Sequence, residues 1–229
     1  MATPSITDHR AAFEIHPIFR RLAMLAPIGA VLFTIAWLVL GFISPGYKLF
    51  DLEISPYSAV SQPISGLGLG MTGPYMNAAF VLGGVLLMLG AAGIANCWPS
   101  VTYRGLWRTS VILLPLTGLG MVICGLFTLE SVLMHLAGFL LALVIPVVSF
   151  ILFGILLWKE YGARFLALLL FLAGALTLAF FIIFQIIFDP YSSGENTGMA
   201  GLVQRALAVV VLAMFTILGI VGARRTAGD

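Results

Sequence analysis

Glu130 and His135 lie five residues apart in the stretch GLFTLESVLMH at 125–135, an acid and an imidazole set beside the most apolar segments of a sparsely charged chain. A carboxylate and an imidazole within reach of each other form an acid–base pair able to move a proton during a reaction. Arg205 adds a guanidinium whose planar fork of donors suits a carboxylate or a phosphate. It stands in a region otherwise poor in basic residues and so needs a carboxylate partner, for which Glu130 and Asp189 are the candidates. Ser61, Gln62, Ser65, Asn77, Gln185 and Gln204 supply further hydrogen-bonding groups that could orient a ligand. Each residue also has a plainer reading. His135 suits a neutral imidazole bonded to a neighbouring helix, Glu130 a solvated turn residue, and an Arg205–carboxylate bridge a pin between helices.

Other chemistries are disfavoured. A metal ion needs three or four converging donors, and His135 has no second histidine near it. No lysine lies within an apolar segment to form a Schiff base, no two segments carry the facing histidines of a haem site, and 66–70 lacks the Lys and Ser/Thr of a phosphate-binding loop. No cofactor is expected. A net charge of +2, with basic residues scattered singly, gives no footprint for nucleic acid.

The elements that position these groups follow from composition. With 61% hydrophobic and 9% charged residues and a mean hydropathy of +1.13, the chain reads as a bilayer protein. A hydrocarbon core takes ~20 apolar residues per helix, which leaves room for about six crossings and no separate soluble domain. The apolar runs place spans near 22–43, 74–97, 109–128, 132–158, 165–188 and 202–223, between tails at 1–21 and 224–229. His9 and His16 fall in the first tail and read as solvated. The fold expected is an all-α bundle of six transmembrane helices in the lipid bilayer. Gly83, Gly84, Gly90 and Gly93 offer surfaces for close helix approach, and Pro115 with Gly118 and Gly120 marks a bend. Cys97 and Cys124 fall near opposite ends of the bundle, too far apart for a disulfide. Gln185 and Asp189, four apart, share a face if the fifth span continues that far.

The longest loop, 44–73, divides in two. Its first half, YKLFDLEISPYSAV, mixes aromatic and charged residues in a way that suits the headgroup layer. Its second half, SQPISGLGLG at 61–70, cannot be a regular helix, because Pro63 and three glycines interrupt it. Non-helical backbone near a bilayer persists only where protein or water satisfies it, so this segment is expected to dip into, or cap, a polar vestibule. Arg10, Arg20, Arg21, Arg104, Arg108, Lys159, Arg164, Arg224 and Arg225 fall on one side of the membrane, against Lys48 and Arg205 on the other. The positive-inside rule then puts both termini in the cytoplasm and the polar residues at the outer face.

The segments PISGLGLG and GPYMNAAFVLGG, then CGLFTLE with a histidine in the following span, then GLVQR, resemble a bacterial six-span membrane family known as domain of unknown function 998. The resemblance covers roughly 20–223. Ile64–Gly68, Asn77, Gly125–Phe127, His135 and Gln204-Arg205 fit the family's pattern, while Thr128 stands in place of a proline and Glu130 in place of an aspartate. It implies architecture, a bacterial inner membrane and a motif cluster, but no reaction. The expected role is therefore an outward-facing pocket that binds or transports a small amphiphile, lipid or ion. An enzyme acting on a lipid or isoprenoid through Glu130 and His135, and an assembly subunit without a ligand, remain the alternatives.

Overall fold

Six stretches of 23 to 30 residues are helical and apolar enough to cross a bilayer, and they account for most of the chain. The structure is a computed structural model and describes residues 15–225, the side chains of Tyr191 and Ser193 excepted. His9 and Arg10 lie outside the described residues. The first span is α1 (Pro17–Ala23) followed by α2 (Leu25–Ile43), and a small hairpin of β1 (Tyr47–Leu49) and β2 (Leu52–Ile54) comes after it. The next two spans are α3 (Gly73–Cys97) and α4 (Arg104–Leu126), and the fourth is α5 (Val132–Leu143) with α6 (Ile145–Tyr161). Then come α7 (Arg164–Ile187), the short α8 (Pro190–Gly194) and α9 (Ala200–Arg224).

Prolines explain the two broken spans. Pro27 and Pro146 have no N–H to donate, so the carbonyls of Ala23 and Ala142 lose their intrahelical partners. The helix is interrupted just upstream in both cases, at Met24 and Val144. Helix α4 runs through Pro115 as one continuous helix, Arg104–Leu126.

Small residues set how closely the helices approach. A Cβ on Gly118 would lie 2.4 Å from the Gly84 carbonyl, one on Gly120 2.5 Å from the Gly138 carbonyl, and one on Gly90 2.2 Å from the Ala26 nitrogen. The backbones of α2 to α5 are therefore in van der Waals contact. Around α6 large rings fill the core instead, with Phe150 against Phe215 of α9 and Phe153 edge-on to Trp98 at the end of α3.

The two ends of the bundle differ in kind. At the basic end Arg20 Nε donates to the Ala223 carbonyl at 3.1 Å, which ties the start of the chain to the end of α9. Cys97 is buried at this end and Cys124 near the other, and both are free thiols. At the opposite end the hairpin pairs Tyr47 with Ile54 and Lys48 with Glu53. Tyr47 and Ile54 turn inward while Lys48 and Glu53 face out.

Candidate functional site

Residues 61–69 are all buried although none belongs to a membrane helix. Ile64–Gly68 makes a short 3₁₀ turn, which leaves most of the segment's backbone groups in need of partners. The polar residues picked out by the sequence meet that need. Gln204 Oε1 accepts from Ile64 N at 2.7 Å, and Asn77 Nδ2 donates to the Gly68 carbonyl at 3.0 Å. Gln204 and Arg205 point in different directions on α9, yet both end on this segment. Gly66 lies directly under the Tyr47 side chain, where a Cβ would sit within 2.6 Å of the hydroxyl oxygen and two ring carbons, so only glycine lets the hairpin close over the segment. The result is a plug that seals one end of the bundle.

Among the described residues Arg205 has no carboxylate partner. Its Nη1 donates to the carbonyls of Ala59 (2.7 Å), Gln62 (2.9 Å) and Gly201 (2.9 Å), and Nη2 donates to the Tyr57 hydroxyl. The guanidinium also lies over the rings of Trp37 and Tyr57, 5.4 and 5.8 Å from their centroids. The expected bridge to Glu130 or Asp189 is thus replaced by a cage of dipoles and ring faces. The fork geometry that suits a carboxylate serves equally to gather carbonyls from one turn of chain. Burial pushes the Tyr57 phenol up and Arg205 pulls the other way, while burial with Tyr57 alongside raises Tyr47. Both phenols are neutral at physiological pH, and Tyr57 can donate to the Pro63 carbonyl at 3.2 Å while accepting from Arg205.

His135 and Glu130 do not form a pair. Glu130 is exposed in the turn after α4 and accepts from the Thr128 hydroxyl at 3.4 Å. His135 faces inward from the first turn of α5, 6% exposed. Its Nδ1 lies 2.7 Å from the Phe127 carbonyl, which can only accept, so Nδ1 carries the proton. In the neutral ring Nε2 then accepts from the Ser65 hydroxyl at 2.9 Å. The imidazole links the end of α4, the start of α5 and the plug, and both ring nitrogens are occupied.

Where the sequence leads one to expect a polar vestibule, the space beneath the plug is mainly apolar. Phe33, Phe80, Met121, Phe139, Val211 and Leu212 supply much of its wall, with Ser65 and Gln204 beneath the plug. It spans about 520 Å³, including the part open to its surroundings. Cys124 also faces it, as does Thr117, whose hydroxyl is buried without a partner. Thr177 and Thr216 satisfy their hydroxyls on the carbonyl four residues back, at 2.7 and 2.8 Å, and Thr117 does not. Gln204 spends its oxygen on Ile64 N, which fixes the orientation of the amide, and its NH₂ has no protein partner among the described residues.

The structure therefore gathers Ser61, Gln62, Ser65, Asn77, Gln204, Arg205 and His135 around the plug, and leaves Gln185, Asp189 and Glu130 outside. Helix α7 ends at Ile187, so Gln185 and Asp189 do not share a helical face. Gln185 is exposed on α7, and Asp189 accepts from Ser192 N and Oγ at 3.2 and 2.7 Å, capping α8. Three participants were missed in the sequence. Asn196 accepts from Ser61 Oγ at 3.5 Å and from Gln62 Nε2, and donates to the Pro56 carbonyl at 3.1 Å. Its left-handed backbone, φ 58°, is a conformation asparagine tolerates, which was the available signal. Tyr57 falls in the stretch assigned to the headgroup layer, and Thr117 carries no signal in the sequence beyond its residue type.

A family model described as "Protein of unknown function (DUF998)" matches residues 27–221. No curated protein and no solved structure matches the chain.

Proposed function

For a chain that belongs to the DUF998 family, an integral membrane family described without an activity, we propose that the bundle binds an uncharged amphiphile in the cavity beneath the plug. The observation that carries this reading is the Thr117 hydroxyl, 1% exposed, unpartnered and set in the wall of an apolar cavity. A buried hydroxyl without a hydrogen bond costs about 1–3 kcal/mol, which a ligand oxygen would recover. The Gln204 amide offers a second donor. Among the described residues no charged side chain lines the cavity, which argues against an ion or a carboxylate as cargo. The hydrocarbon part of the ligand lies among the phenylalanines, and its hydroxyl, ether or carbonyl oxygen meets Thr117 or Gln204.

The plug network supports a holding role for His135, Arg205, Asn77 and Gln204, which keep the cavity covered. The acid–base reading of Glu130 and His135 has less support, because they share no hydrogen bond and the imidazole is engaged on both nitrogens. The positive-inside bias puts the basic end in the cytoplasm and the plug outside, in a bacterial inner membrane.

Cys124 gives the test, since it faces the cavity while Cys97 lies at the far end. The full-length protein in neutral-lipid nanodiscs is treated with a small apolar thiol reagent, with and without a long-chain fatty alcohol, and labelling is read by peptide mass. The alcohol is expected to slow Cys124 labelling with no effect at Cys97. Thr117→Val should weaken that protection about 2- to 12-fold, the worth of one hydrogen bond. Equal Cys124 labelling with and without the alcohol, across several chain lengths, would sink the proposal.

A further inference from the structure

A second groove lies at the basic end, between the start of α7 and the end of α9, and the plug network makes no use of it. It spans about 1350 Å³, including the part open to its surroundings. Its walls are apolar, from Leu166 and Leu169 on α7 and Ile217 and Val221 on α9. Its rim is cationic. Arg164, Arg224 and Arg225 line it, and among the described residues no Asp or Glu does. The nearby Glu160 is occupied elsewhere, accepting from the Thr102 hydroxyl at 3.3 Å.

The three arginines differ in freedom. Arg225 is held in place: Nη1 donates to the Cys97 carbonyl at 2.5 Å, and its guanidinium lies 4.1 Å from the Tyr161 ring centroid and 5.4 Å from that of Trp98. Arg164 and Arg224 are exposed. Arg164 makes a ring contact with Trp158 at 5.8 Å, so each of the two can turn its fork of donors toward an anion.

We propose that this groove is a binding site for one anionic phospholipid, its phosphate between Arg164 and Arg224 beside the fixed Arg225, and an acyl chain along the α7–α9 seam. The occupant follows from the juxtaposition. A cationic rim above an apolar wall, at the end of two membrane-spanning helices, meets a phosphate and a hydrocarbon chain at the depths where a bilayer presents them. A soluble anion would use the rim and leave the wall bare. A neutral lipid would use the wall and leave the charges unmatched.

The test uses the full-length protein, delipidated in a neutral detergent, with the thermal midpoint followed during titration. Phosphatidylglycerol is compared with phosphatidylcholine of the same chains and with inorganic phosphate. Phosphatidylglycerol should reach half-effect at a concentration at least tenfold lower than phosphatidylcholine, and inorganic phosphate should give no comparable shift. A basic residue near an anionic surface contributes about fivefold in affinity, so Arg164→Gln with Arg224→Gln should raise the half-effect concentration about 25-fold. Both residues are exposed, so the double variant keeps its fold. Arg104→Gln with Arg108→Gln, also exposed at the basic end, should leave it within twofold. The site is refuted if phosphatidylcholine or inorganic phosphate acts like phosphatidylglycerol, if the 164/224 variant retains the effect, or if the 104/108 variant loses it equally.

Discussion

Arg205 carries its charge into the bundle without a counter-ion among the described residues, and the structure shows how that is tolerated. A charge at a helix centre costs about 2.5–3.5 kcal/mol on insertion scales, and Arg205 offsets its burial with four hydrogen bonds and two ring faces. The energetics are directional. Lysine preserves the charge but not the fork, so Arg205→Lys should lower the thermal midpoint in detergent and Arg205→Ala should lower it further. Rescue of full stability by lysine would contradict the account. At His135 the argument concerns one bond. Ser65→Ala strips the partner from Nε2 of a buried ring and should cost about 1–3 kcal/mol, visible as a lower midpoint. Glu130→Gln touches an exposed carboxylate and should leave the midpoint unchanged.

The plug is an element with no regular ladder of its own, so its stability comes from what abuts it. Gly201 is the closest neighbour: a Cβ there would fall 2.2 Å from the Gln62 carbonyl oxygen and 2.8 Å from that of Ala59. These are two of the oxygens that Arg205 holds, so α9 and the plug cannot separate without breaking the cage. Gly201→Ala should therefore lift the segment, read as faster amide hydrogen exchange across 61–69. Gly105→Ala, where nothing lies within 4 Å, should not change it. The sequence made this element partly readable. Pro63 and the glycines excluded a helix, and Ser65, Asn77, Gln204 and Arg205 were recognised as polar groups of one end. What they bond to was not readable, because their partners lie up to 148 residues away in the chain. A wrong partner, a carboxylate for Arg205, followed from considering side chains and overlooking the carbonyls of an irregular loop.

The whole bundle pairs tight packing among α2 to α5 with a void beneath the plug, and stability and binding should pull in opposite directions there. Ala208 lines the void, so Ala208→Leu fills it; the midpoint of the ligand-free protein should rise and protection of Cys124 by a fatty alcohol should fall. Thr117→Val removes an unsatisfied hydroxyl at nearly constant volume and should leave the ligand-free protein as stable or more so. The same change at Thr177, whose hydroxyl is already bonded to Ala173, should bring no such gain. A drop in midpoint at Thr117→Val would mean that the hydroxyl has a partner in the empty protein.

Sequence by itself determined the number and type of the helices, because ~20-residue apolar runs have no other way to satisfy their backbone in a bilayer. It also determined that basic residues gather at one end, and that 61–70 is not helical. Both are properties of residues read locally. The cavity, the cage around Arg205 and the separation of Glu130 from His135 depend on which way a side chain points and what another helix brings to meet it. Glu130 and His135 illustrate the limit: five residues apart in a turn, one faces out and the other in. Helix start and turn geometry made that choice, and spacing along the chain does not encode it.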